Sequence, residues 1–353
     1  GVLSMKGKMD DLSLSIASSF SFSKDCDGES DTGLSSSGLG ISSPGLGIPP
    51  IEEDQHEEAT SLVVLRLVKS LRDNAETLQE GEVIQLVEEL DELSSRFGRG
   101  GGRGEAASIR QSITAAGGTS ALVALAVQRV DSAAVQGSVF RAITSLCRGS
   151  HDGGTRVTAL EAGALEALAD GMSLHTNDLL VQVAGCALLR SLITSQSLSG
   201  SGLGLSPMGV GGTAHSSPDV AGAGGGQPCV LDDARAAGCI ESVTDAMWSH
   251  PQDRNIVELA LGALCDLTRT SDDNVMAAAS SGCIPATIRA LSSHLRSPTV
   301  QERGTRLLAR LCEVDDDLAA MVRAEGPESV LFDAAGRFPD RCGEWCKIVL
   351  EKL

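Results

Sequence analysis

The sequence predicts an all-α protein built from repeated helices, and three observations carry that prediction. The 353 residues include six Phe, two Trp and no Tyr, whereas sheets lean on aromatic and β-branched side chains. Apolar residues recur at helical spacing, for example Leu62, Leu65, Val68 and Leu71. A small-residue turn centred on glycine returns four times, each time followed by the same apolar register.

The N-terminal part is different in kind. Residues 1–58 are rich in Ser and Gly with little periodicity, so burial cannot offset chain entropy and a disordered segment is expected there. Residues 59–97 read as an acidic helical pair broken near Gly81, placed to act as an N-terminal cap or a degenerate repeat. The second stripe of this pair is Val83, Leu86, Val87, Leu90 and Leu93. The stretch 52–93 holds 13 acidic and 3 basic residues, about half of the net charge of −19, which suits a solvated face. A Gly/Arg linker follows over 98–104, too poor in arginine and aromatics for an RNA-binding segment. A second low-complexity block, Ser197–Pro228, holds ten glycines and reads as a long loop inserted into helical sequence.

The four copies are Ala115–Ala126, Glu161–Met172, Ala236–Met247 and Ser280–Leu291, sharing Gly117, Gly163, Gly238 and Gly282. The glycines are 46, 75 and 44 residues apart, and setting aside the 32 residues of Ser197–Pro228 brings the middle interval to 43. A longer helix follows each at a constant offset. Its stripe starts with Val135, Val181, Ile256 and Val300 and ends with Leu146, Leu192, Leu267 and Leu311. Gly185, Ala260 and Gly304 leave room for a close helix neighbour. Asp152, Asp232–Asp233, Asp272–Asp273 and Asp315–Asp317 stand where a short helix ahead of each glycine needs its N-cap. The last of these opens a fifth, degraded unit around Gly326, whose helix Cys342–Leu353 is the C-terminal cap a repeat array requires.

Short helix, glycine, middle helix, loop and long helix in this order resembles the armadillo repeat. The strings EAGALEALADGM…VQVAGCALLRSL and AAGCIESVTDAMWSH…IVELALGALCDL are similar to its consensus, and the likeness covers residues 105–353. It implies a right-handed α-superhelix whose third helices line a concave groove for extended peptides or partner helices. Transport receptors of this family carry Asn and Trp ladders in that groove. The matching positions here are Ser145, Ser191, Asp266 and Arg310 for Asn, and Arg141, Ala187, Gly262 and Arg306 for Trp. Neither ladder is present, so recognition of basic nuclear-localisation peptides by that mechanism is not expected.

The implied groove is instead small and neutral at Ala184, Ala187 and Ser191, and basic at Arg303, Arg306 and Arg310, which share one helix face. These three are the leading partner-binding candidates, able to hold carboxylates or a phosphorylated peptide bidentately. The competing reading pairs them with local acids such as Glu302 and Glu313. Trp248, on the loop between the middle and long helices of the third repeat, is a candidate anchor or else closes that loop on its neighbour. Trp345 is expected in the core of the terminal cap.

Catalytic readings find no support in the motifs. There is no phosphate loop, HExxH or GxSxG. His175, His250 and His294 recur because the repeat recurs. Asp25-Cys-Asp27-Gly28-Glu29 lacks the twelve-residue calcium frame. The ten cysteines show no C-x-x-C or zinc spacing and read as reduced, packed thiols. Cys342 and Cys346 share a face without further ligands. No apolar run is long enough to span a membrane. The expected protein is therefore a non-catalytic interaction scaffold or adaptor of the cytoplasm or nucleus. It takes a protein or peptide partner, with no cofactor, metal, small molecule or nucleic acid. The alternatives are a cargo-transport adaptor and a regulatory subunit of an enzyme such as a chaperone ATPase or ubiquitin ligase.

Overall fold

Gly117, Gly163, Gly238 and Gly282 all adopt φ between +80° and +86°, a left-handed conformation that strains any residue bearing a Cβ. Each one joins a short helix to a middle helix, as the register requires. The computed structural model describes residues 53–74, 77–96, 103–148, 153–194 and 230–353, all within one compact unit. The expectations for residues 1–52, for Ser197–Pro228, for 98–102 and for Asp152 lie outside the described residues.

The described residues form seventeen helices and no strand. An opening pair, α1 (Glu53–Asn74) and α2 (Glu80–Arg96), precedes five units of three. The first two units are α3 (Arg103–Ala115), α4 (Gly118–Gln128), α5 (Ala133–Cys147), and α6 (Gly154–Glu161), α7 (Ala164–Leu174), α8 (Leu179–Ile193). The next two are α9 (Val230–Ala236), α10 (Cys239–Ser249), α11 (Arg254–Thr268), and α12 (Asp272–Ser280), α13 (Cys283–Ser293), α14 (Pro298–Val314). The last is α15 (Asp316–Ala324), α16 (Glu328–Arg337) and α17 (Pro339–Lys352). Third helices stack in one row, α2–α5–α8–α11–α14–α17, and second helices in another, α1–α4–α7–α10–α13–α16. Both rows run unbroken past the inserted block, since α8 packs on α11 and α7 on α10.

Some boundaries move. The opening pair begins at Glu53, inside the segment read as disordered, and α3 opens at Arg103, inside the Gly/Arg linker. The fifth unit, degraded in sequence, has all three helices and keeps a left-handed glycine at Gly326, φ +63°.

The stripe residues fill the core: Val135, Ile143, Leu189, Leu264, Leu308 and Leu311 are all at most 1% exposed. A Cβ on Gly185 would sit 2.5 Å from Met172 Sδ, and one on Gly304 2.7 Å from Leu291 Cδ2, so glycine sets how closely a third helix meets its own second helix. The acidic N-caps need correction. Ser271 caps α12, with Asp272 and Asp273 inside its first turn, and Asp232 and Asp233 likewise fall in the first turn of α9. There they favour the helix dipole without capping. Among the described residues only Asp315 caps its helix as expected, its carboxylate accepting from Asp317 N at 2.6 Å. The regular caps belong to the third helices, where Ser132, Asp178, Asp253 and Ser297 accept from Val135, Val181, Ile256 and Val300 N.

Two side-chain ladders complete the frame. Buried Gln136, Gln182 and Gln301 each donate from Nε2 to two carbonyls where the preceding second helix ends, at 2.6–3.2 Å. These are the acceptors a helix C-terminus leaves orphaned. Along the loops, His175, His250 and His294 donate from Nε2 to the carbonyls of Val130, Thr176 and Pro251 in the preceding repeat, at 2.6, 2.9 and 2.9 Å. Arg129 does the same for the first repeat, reaching Leu78 O at 2.8 Å.

Candidate partner-binding site

The third-helix row carries a series of arginines, and the structure separates them by what they touch. Arg141 on α5 bonds Asp91 at 3.0 Å and Glu88 at 3.2 Å, both on α2. Arg190 on α8 reaches forward to Asp266 on α11 at 3.1 Å and lies across Gly262, where a Cβ would come 2.9 Å from the guanidinium carbon. That glycine is the space the arginine occupies. Arg303 donates to the Glu258 carbonyl, and burial, then the nearby Arg190 charge, lowers its pKa from the ordinary value. Arg310 spends Nε on Thr268 O at 3.1 Å and Nη2 on Asp272 at 2.5 Å.

Arg306 differs from all of these. It is exposed and pairs with no carboxylate among the described residues; its guanidinium carbon lies 5.9 Å from the centre of the Trp345 ring on α17. A cavity of about 160 Å³ opens there between α11, α14 and α17. Arg269, Arg306, Arg310, Glu313 and Trp345 line it, with Leu307 among its apolar walls.

The four candidates from sequence therefore fall in different settings. Arg303 and Arg310 hold neighbouring repeats together, while Arg306 faces the cavity. The acid that engages the stripe is Asp272, at the start of α12 in the same unit, while the preceding repeat supplies the backbone carbonyls of Glu258 and Thr268. Glu302 pairs with Arg341 at 3.4 Å, and Glu313 lines the cavity. Trp248 lies in the last turn of α10 and not on the loop that follows, because the helix runs on to Ser249; it sits on the second-helix row, 37% exposed, with Arg289 of the next repeat 5.6 Å from its ring centre. It packs on its neighbour and still presents an open face.

Two residues of this place were missed from sequence. Trp345 is half-buried against Arg306, outside the terminal core, because the buried stripe of α17 is Cys342, Cys346 and Val349. That spacing puts Trp345 on the flank of the stripe, a signal present in the sequence. Arg269 caps α11, where the apolar register stops giving information.

Burial keeps the thiols of the described residues from acting as ready nucleophiles. Burial pushes Cys186, Cys239, Cys265 and Cys283 up to about 12 and Cys147, Cys312 and Cys346 up to about 11, so they are protonated near neutral pH. No group of three or more His, Cys, Asp or Glu able to hold a metal occurs among the described residues. No helix among them is long and apolar enough to cross a membrane.

No family model matches the sequence, and no curated protein matches it either. The fold does have relatives among solved structures. An engineered protein aligns with a TM-score of 0.58 at 18% identity, covering 82% of this chain and 97% of its own. A computationally designed armadillo repeat protein for modular peptide recognition aligns at 0.57 and 15%, covering 82% and 99%. Another designed armadillo repeat protein, in complex with the peptide (KR)4, aligns at 0.56 and 14%, covering 82% and 98%. At such identities the likeness speaks for the fold, and the fold is an armadillo-like α-solenoid.

Proposed function

We propose that this protein is a non-catalytic scaffold that binds a partner protein or peptide along its third-helix face. The observation that carries this reading is the unbroken row from α2 to α17. Stacked repeats offer a long accessible surface without an enclosed reaction chamber. The designed neighbours made for peptide recognition use the same architecture.

The charge of the face selects the partner. One designed neighbour is in complex with the basic peptide (KR)4. The C-terminal end of the face here has Arg269, Arg306 and Arg310 around one cavity, so the segment it takes is acidic or phosphorylated. Trp248 supplies a second anchor on the other row, where an exposed aromatic beside Arg289 favours contact with a partner.

Cross-linking of the full-length protein to a partner recovered from its native extract tests the reading. Cross-links should map to third-helix residues, α14 and α17 above all. Cross-links confined to the second-helix row would move the binding surface to the side of Trp248 and overturn it.

A further inference from the structure

We propose that the cavity between α11, α14 and α17 is a subsite for one anionic side chain, a carboxylate or a phosphorylated hydroxyl, gripped by Arg306 and Arg269 against Trp345. This rests on the reading of the third-helix face as the binding face, and narrows it to a place and a ligand chemistry.

The donors decide the location. Arg141, Arg190 and Arg310 are each neutralised by a carboxylate, and Arg303 is committed to a carbonyl. Arg306 and Arg269 pair with no carboxylate among the described residues, and both line this one cavity. Trp345 holds the Arg306 guanidinium by its face, which leaves the N–H edges free for a bidentate acceptor. Positioning by an aromatic ring thus spends none of the donors that a ligand needs.

The surroundings suit an anion for a second reason. The C-terminal end of α11 carries partial negative charge that would repel one. Its Thr268 carbonyl is already taken by Arg310 at 3.1 Å, so that charge is countered before a ligand arrives. Glu313 is the one carboxylate among the lining residues and opposes the anion. At about 160 Å³ the cavity is well below the roughly 300 Å³ where small-molecule pockets begin; it has room for one side chain of a longer segment. The fifth unit therefore contributes a wall of the site.

Trp345 makes the test direct, since the chain has only two tryptophans. In a full-length Trp248→Phe background, Trp345 emission is followed on titration with a short peptide carrying phosphoserine, the same peptide with Glu in its place, the same peptide with Ser, and inorganic phosphate. The phosphoserine or the Glu peptide, or both, should saturate, and the Ser peptide should not; which of the two binds more tightly identifies the source of the anion. Arg306→Gln and Arg269→Gln should each weaken binding by about ten-fold, the loss of one charge-assisted contact. Glu313→Gln should strengthen it. Circular dichroism melting of the Arg306→Gln protein should stay close to its parent, because that side chain makes no hydrogen bond or ion pair to another repeat among the described residues and gives up only its exposed contact with the Trp345 ring. Equal affinity in parent and both arginine variants, or a response to inorganic phosphate alone, would overturn the subsite. The face-level reading would then still stand or fall on the cross-link map.

Discussion

Arg141 and Arg306 occupy the same register position on their third helices, yet they do different things. Arg141 meets α2, which presents Glu88 and Asp91, and is tied down by both. Arg306 meets α17, which presents Trp345, and keeps its hydrogen-bonding edges open. The helix, the residue and the offset from the glycine turn are alike; the neighbouring third helix differs. In a stacked array a side chain's role is set by the adjacent repeat as much as by its own.

The contrast holds only if both regions of the stack are equally well packed, and Ile143→Ala and Leu308→Ala test that first. Both side chains are about 1% exposed or less, and each truncation should cost about 2–5 kcal/mol through lost burial and a residual cavity, read as a shift in denaturant midpoint. A much smaller cost at either position would mean that end is loosely packed. Gln182→Ala comes next. It strips a buried donor from two carbonyls and should cost about 1–3 kcal/mol by the same measurement.

A sharper division comes from the arginines themselves. Arg141→Gln should lose about 0.5–1 kcal/mol, discounted because its pairs are partly exposed, and leave acidic-peptide affinity alone. Arg306→Gln should do the reverse, leaving the melting temperature in place while affinity falls. If both variants behave alike, the contrast between stitch and reader is gone. The smallest effect concerns the thiols. Burial raises Cys186, Cys239, Cys265 and Cys283 from 9.0 to about 12. The stability linked to them is therefore full below about pH 9 and lost as pH rises toward 12. Alkylation of the native chain at about pH 8, read by peptide mass spectrometry, should leave these four unmodified; rapid labelling of any one would show a local opening.

What the sequence made legible follows from what repeats. The glycines, the apolar stripes and the small residues at Gly185 and Gly304 recur because each repeat faces the same steric problem, so self-similarity alone found them. The acidic starts misled because a first-turn Asp and a capping Asp look identical in one dimension, and Ser271 outcompetes Asp272 only through backbone geometry. Arg303 and Arg310 looked like a free stripe because a helical wheel sees its own helix. Their partners, the Glu258 carbonyl and Asp272, come from sequence 45 and 38 residues earlier. Trp345 reads as core for the converse reason: its hydrophobicity is plain in the sequence, whereas its place on the flank of the Cys342–Val349 stripe shows only on the helix.

The histidine bonds along the loops carry a further lesson about chain length. His175 and His294 bridge 45 and 43 positions of sequence, whereas His250 reaches Thr176 across 74, with the same kind of bond and the same partner position. Closing the longer loop costs only about 0.5 kcal/mol more by the logarithmic rule for flexible chains. The pitch of the stack is thus uncoupled from the contour of the polypeptide at that junction. New sequence can be written into the chain there, and the architecture on either side has almost nothing to renegotiate.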